Sequence, residues 1–161
     1  MIILAIDPGP DKSAWLEYDT ILNKPLSFAI MENEKLRGPL DYGFPLVTFL
    51  VVETMEAHGM PVGESVFRTA IWIGRFIEVW SGPHELIGNT KIRLHVCHNA
   101  RAKGPNIRAA LIDRFGGSKE AAIGTKKSPG PLYGIKTHIW SALALAVTYA
   151  ERPVTPTGKD A

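Results

Sequence analysis

The sequence predicts an α/β fold in which one sheet is covered by helices, and three observations lead there. Two apolar, β-rich runs, residues 2–6 and 47–52, each stop at a carboxylate, Asp7 and Glu53; runs of that kind read as buried strands. Later segments repeat apolar residues at offsets of three and four, the period of a helix with one buried face. Strands and helices also alternate along the second half of the chain, which points to one mixed layered domain.

Taken in order, residues 2–7 form a buried strand that Asp7-Pro8-Gly9-Pro10 ends in a turn. Ala14, Leu16 and Tyr18 alternate with Ser13, Trp15 and Glu17 as a second strand, and Leu26 to Met31 supplies a third, giving a meander. Residues 32–45 are polar with Gly and Pro and read as a loop with at most one helical turn. Residues 47–53 form the next strand. Val66, Ala70, Ile73, Ile77 and Trp80 then mark one helical face. Ile92, Leu94 and Val96 alternate with Arg93 and His95 as a further strand, and Ile107, Ala110, Leu111 and Phe115 mark a short helix that Gly116-Gly117 closes. Residues 116–135 read as loop. Ile139, Ala142, Leu143, Ala146, Val147 and Ala150 give a strongly apolar last helix from about His138. The expected organisation is one domain over 1–150 and a flexible tail over 151–161, where Pro153 and Pro156 discourage regular structure.

A chain of 161 residues with 45% hydrophobic and 21% charged residues is long and apolar enough for a real core. Cys97 is the single cysteine, which excludes an intramolecular disulfide and a cysteine-based zinc site and fits a reducing cytoplasm. The apolar start is too short for a signal segment, and no stretch approaches the ~20 apolar residues of a membrane span, so no membrane partner is expected. The net charge of +2 is a weak argument for nucleic acid. Its distribution says more: between Lys91 and Lys136 lie Arg93, Arg101, Lys103, Arg108, Arg114, Lys119, Lys126 and Lys127 against Asp113 and Glu120. Such a block can neutralise phosphates, although a solvated face carries the same pattern.

A carboxylate at the end of a buried strand lies at the rim of a sheet. Asp-Pro-Gly is also a common turn sequence, so Asp7 alone leaves both readings open. Glu53 at the end of a second apolar strand changes the balance, because two adjacent carboxylates repel unless a cation lies between them. Hard divalent cations take oxygen ligands, and Mg²⁺ is typically held by one or two carboxylates together with substrate phosphates. Paired carboxylates on adjacent strand ends therefore suit metal-assisted phosphoryl transfer. Glu56 competes with Glu53 for this role but lies past the apolar run, where solvation is the simpler reading. His138 opens the last helix as a third candidate, against the plain reading of a capping or surface histidine. His58, His84, His95 and His98 have no partner at metal-site spacing, and the sequence holds no Walker loop, nucleophile elbow or zinc-type His-Glu pairing.

Ile6-Asp7-Pro8-Gly9, the apolar strand into Glu53 and the run from His138 to Ala146 resemble the RuvC-type Holliday-junction resolvases of the ribonuclease H superfamily. The likeness is closest to the short RuvC-like proteins of bacteriophages. It extends to Gly59-Met60-Pro61-Val62-Gly63, to the helix with Trp72-Ile73-Gly74-Arg75-Phe76, to residues 107–115 and to Tyr133-Gly134-Ile135-Lys136, and so covers nearly all of residues 1–150. The resemblance implies a ribonuclease H-like mixed five-stranded sheet with helices on both faces. It also implies a homodimeric, Mg²⁺-dependent crossover junction endodeoxyribonuclease, with Mn²⁺ able to substitute, that nicks four-way junctions or other branched DNA in the cytoplasm of a bacterial or phage-infected cell.

In that family the first acid corresponds to Asp7 and the glutamate to Glu53. An acidic pair three residues apart at the start of the last helix corresponds to His138 and Ser141. Asp7, Glu53 and His138 are thus the expected catalytic and metal-binding residues. Ser141 is the departure, since a neutral hydroxyl is a poor replacement for a carboxylate near Mg²⁺; Asp11 in the first turn is a possible substitute ligand. Arg101, Lys103, Lys126, Lys127 and Lys136 are the expected DNA contacts, on loops or helix starts that approach phosphates. Two other readings remain: a catalytically weak or inactive protein that binds branched DNA, which Ser141 favours, and a ribonuclease H-like nuclease acting on RNA. The helix over 65–80 carries Trp72, Phe76 and Trp80 beyond the needs of one core face, which makes it a candidate dimer surface.

Overall fold

The computed structural model of the chain describes residues 1–57, 59 and 61–152. His58, Met60 and the expected tail from residue 153 onward lie outside the described residues. Five strands form one mixed sheet in the order β3-β2-β1-β4-β5. Strands β1 (Ile2–Asp7), β2 (Lys12–Asp19) and β3 (Lys24–Glu32) pair antiparallel as the expected meander. Strands β4 (Val47–Thr54) and β5 (His84–Gly88) continue the sheet in parallel from β1. The two most apolar strands, β1 and β4, are neighbours.

Because successive side chains of a strand point to opposite faces, the sheet builds two cores. Ile3, Ala5, Leu16, Val51 and Ile87 face one layer, made of α3 (Asn89–Cys97), α4 (Gly104–Gly116) and α6 (Ile139–Ala150). Leu4, Ile6, Leu50 and Val52 face the other, where α1 (Asn33–Tyr42) supplies Leu36 and Leu40, and α2 (Glu64–Val79) supplies Ile73 and Phe76. Helix α6 is buried almost all round, as its lack of a polar stripe requires. Helices thus cover both faces, as the resemblance implied.

Four segments differ from the sequence reading. Residues 33–42 form a helix rather than a loop, although Gly38 and Pro39 lie inside it. Burial of Leu36 and Leu40, one turn apart, outweighs poor intrinsic propensity. Residues 92–96 belong to helix α3 rather than a strand. Ile92 and Val96 are buried one helical turn apart while Leu94 is 48% exposed, so the four-residue spacing governs. The fifth strand lies just upstream, at His84–Gly88, where only Ile87 is fully buried. The segment expected to be loop after α4 also contains one short helix, α5 (Lys119–Ala122).

The first two residues past α6 are tied down. Glu151 pairs with His95 and Arg114, and Arg152 with Glu85 at 2.6 Å. No helix among the described residues is long and apolar enough to cross a membrane.

Candidate metal centre on the sheet rim

Strands β1 and β4 run in parallel with Ile6 opposite Val52, so Asp7 and Glu53 leave the sheet side by side at one rim. Both share the strand parity of the core facing α6: Asp7 follows Ile3 and Ala5, and Glu53 follows Val51. The start of α6 closes the same rim. His138 precedes its first turn and places Nδ1 at 3.2 Å from Asp7 Oδ2, and the Ser141 hydroxyl also hydrogen-bonds the Asp7 carboxylate. Thr137, with φ 46°, sets the angle at which His138 enters. A β-branched residue in that region carries strain of order 1–3 kcal/mol, which the packing of α6 must hold. The structure therefore brings Asp7, Glu53, His138 and Ser141 to one place.

The turn after Asp7 is fixed by a buried network that sequence reasoning missed. Asn33, the first residue of α1, donates Nδ2 to the Gly9 carbonyl at 2.9 Å and accepts the Ser13 hydroxyl at 2.7 Å. Ser13 Oγ in turn accepts the Gly9 amide at 3.2 Å. A side chain at Gly9 would meet the Lys12 carbonyl at 2.4 Å, so the turn admits glycine alone. Asp11, the possible substitute ligand, is exposed and paired with Arg68 of α2.

Around Glu53 the environment is equally specific. Asn89, at the first position of α3, donates Nδ2 to Glu53 Oε1, while its own carbonyl oxygen is buried and accepts no hydrogen bond from the protein. Glu56 is exposed, as expected, and also accepts the Thr90 amide at 2.7 Å, so capping α3, which has no capping side chain of its own. Burial pushes the Glu53 carboxyl up to about 7; the Asp7 charge adds to the rise, and the Asn89 hydrogen bond and the Arg93 charge oppose it. Burial raises Asp7 as well, against the opposing effects of His138 and Ser141.

These are the conditions under which a cation is favoured, because it relieves both the desolvation of two carboxylates and their repulsion. Among the described residues no group of three or more His, Cys, Asp and Glu side chains is gathered closely enough to hold an ion alone. The donor set fits Mg²⁺ in the manner usual for that ion, two carboxylates with the other positions left to water and phosphate oxygens.

The rim separates two grooves. One, of about 620 Å³, runs past Asp7, Gly9, Asp11, Met55, Thr69 and His138. The other, of about 510 Å³, lies between α4 and α6 and is lined by Gly104, Arg108, Lys136, Trp140 and Ser141. Of the expected DNA contacts, Lys136 thus lies beside Ser141, and exposed Lys103 precedes the first residue of α4, Gly104. Arg101 is exposed just before them, and Lys126 and Lys127 are exposed on the tip of the turn between Thr125 and Ser128. Arg108, which packs on the Trp140 ring at 5.2 Å, and Arg93 beside Glu53 join the basic residues near the rim. Arg93 reaches the rim from a helix, where the sequence pattern over 92–96 predicts a strand.

No family model matches this sequence, and no curated protein matches it. Solved structures do. The chain is similar to the RuvC of Thermus thermophilus, at 14% sequence identity over 93% of each chain with a TM-score of 0.64. It is similar to the same length of T. thermophilus RuvC in complex with Holliday junction substrate, again at 14% identity, with a TM-score of 0.66. At that identity the likeness speaks for architecture: this chain has a RuvC-like fold, the mixed five-stranded α/β sheet of the ribonuclease H type.

Proposed function

We propose that this protein is a metal-dependent endonuclease that hydrolyses phosphodiester bonds in branched DNA, with four-way junctions as the preferred substrate. The observation that carries the reading is the pairing of Asp7 and Glu53 on adjacent parallel strand ends beneath the start of α6. A RuvC-like fold adds support, since one similar structure is a complex with a Holliday junction.

Mg²⁺ or Mn²⁺ held by Asp7 and Glu53 supplies the Lewis acidity that this hydrolysis needs. The chain's own groups do the rest. His138 and Ser141 hold Asp7 in a single orientation. The His138 ring is 76% exposed, which leaves Nε2 to exchange a proton with solvent or the departing oxygen. Lys136, Arg108 and Lys103 flank the rim, where phosphate contacts give position and salt-sensitive affinity without reading sequence. Arg101, Lys126 and Lys127 are exposed and are proposed as further phosphate contacts.

Incubation of the protein with Mg²⁺ or Mn²⁺ on four-way junctions, flaps, duplex and RNA hybrids tests the reading. Paired nicks on the junction alone are expected, and cutting confined to RNA hybrids would overturn the DNA assignment. Ser141, a neutral hydroxyl beside Asp7 where an acid would add a ligand, favours one other reading, a protein that binds junctions without cutting them. Tight junction binding with no product under any metal would establish it. Ser141→Asp restores an acid beside Asp7, and about tenfold tighter metal binding is expected from the added carboxylate, measured by titrating Mn²⁺. No change would place residue 141 outside the ion's reach.

The protein is further expected to act as a homodimer through α2. Phe76 is fully buried and Trp72 and Trp80 are half-buried, so the aromatic surplus seen in the sequence is not the exposed surface. Phe67 and Ile71, 59% and 56% exposed one turn apart, form that surface instead. Phe67→Glu combined with Ile71→Glu should convert a dimer to a monomer in light scattering; unchanged mass would move the interface elsewhere.

A further inference from the structure

We propose that Asn89 is a positioning residue for the metal centre, fixing the orientation of the Glu53 carboxylate through its side-chain amide. The inference rests on the nuclease reading above and deepens it. Glu53 lies at the end of β4, where one χ rotation would turn its carboxylate away from Asp7. Asn89 Nδ2 bonds Oε1 and leaves Oε2 as the oxygen free to serve an ion shared with Asp7. An outer partner that orients a ligating carboxylate in this way tunes metal affinity strongly.

Asn89 can do this because its backbone is held from two sides. It follows directly from β5, whose Ile87 is registered against Glu53 itself, so residue 89 has the strand parity that faces the same core. It also starts α3, and the second residue of that helix, Thr90, is anchored by Glu56 from the β4 exit. The Glu56 side chain crosses directly over Gly88, where a Cβ would lie 2.9 Å from Glu56 Cγ and closer still to its carboxylate carbon. Gly88 thus admits Glu56, Glu56 fixes the helix start, and the helix start presents Asn89 to Glu53. The Asn89 carbonyl oxygen is buried and without a protein partner, so the amide is held in this orientation by its bond to Glu53 alone.

The test compares wild type, Asn89→Ala and Glu53→Gln in the intact protein. Free Mn²⁺ is followed by electron paramagnetic resonance to give affinity, cutting is measured across a metal series, and junction affinity is measured in Ca²⁺. Asn89→Ala is expected to weaken Mn²⁺ binding roughly 10- to 100-fold. The metal concentration for half-maximal cutting should rise in parallel, junction affinity should stay within about twofold, and saturating metal should recover most of the rate. A residue that merely supported the fold would lower junction binding and melting temperature together and would leave no recovery at high metal. Unchanged Mn²⁺ affinity in Asn89→Ala, with affinity lost in Glu53→Gln, overturns this inference and leaves the nuclease reading standing. Unchanged affinity in Glu53→Gln overturns both. Should Asn89→Ala fail to fold, Asn89→Ser carries the same comparison.

Discussion

Asp7→Asn and Glu53→Gln are each expected to lower junction cutting at least about 10³-fold while leaving junction binding nearly intact. A bound divalent ion contributes several kcal/mol to stabilising charge in a phosphoryl-transfer transition state, and ~4 kcal/mol corresponds to that factor. Each substitution removes one of the two carboxylates on the rim, and among the described residues no group of three or more such ligands is gathered there. Asp11 is held by Arg68, and Ser141 carries no charge. The basic residues flanking the rim are untouched, so affinity persists. Nicking of a labelled four-way junction, with binding measured in Ca²⁺, separates the two quantities. If both variants cut at the wild-type rate, the carboxylate pair is not the centre.

Glu53→Gln should also raise stability at alkaline pH, with a size set by burial. Folded Glu53 keeps its proton up to about 7, whereas the unfolded chain releases it near 4.5. Between those values the folded chain binds more protons than the unfolded one, so raising pH through this window removes stability. The contribution is fully present below the unfolded value and exhausted above about 7, where the gap corresponds to ~3 kcal/mol. Asp7 is raised by burial too and acts in the same direction. In EDTA the wild-type melting temperature should therefore fall between pH 5 and pH 8. Glu53→Gln should fall less and melt roughly 6–12 °C above wild type at pH 8. Added Mg²⁺ should restore much of the wild-type loss and little in the variant, because only the folded wild type gains a bound ion. Parallel melting curves for the two proteins across that range would contradict the desolvation of the half-buried Glu53 carboxyl.

Much of this was legible in the sequence where burial is continuous. The apolar runs of β1 and β4 announced themselves because both faces of a central strand are covered, and their terminal carboxylates stood out against that background. Helix α6 was equally plain. The errors fell where one residue satisfies two periods. Ile92 and Val96 sit four apart, a spacing that strand and helix both allow, and only the exposure of Leu94 decides. Strand β5 was hidden because it is short and begins His84-Glu85, polar residues at its start. Helix α1 was hidden by Gly38 and Pro39, whose local preferences the burial of Leu36 and Leu40 overrides. The supports of the site, Asn33 and Asn89, left no pattern at all. A single amide acquires its meaning from a partner 24 or 36 positions away, which periodicity does not register.

Those two asparagines differ in one respect that bears on how the centre behaves when warm. Asp7 stands on a turn gripped by Asn33, Ser13 and a backbone that only glycine fits, and its carboxylate is held by His138 and Ser141. Glu53, one methylene longer, is held through one side-chain amide at a helix end, and ends of helices are the first parts to fray. The rim therefore works as a vice with one fixed jaw and one adjustable jaw. The gap between them is set on the β5–α3 side, and that side is where small changes in sequence would retune the grip on an ion without disturbing the sheet.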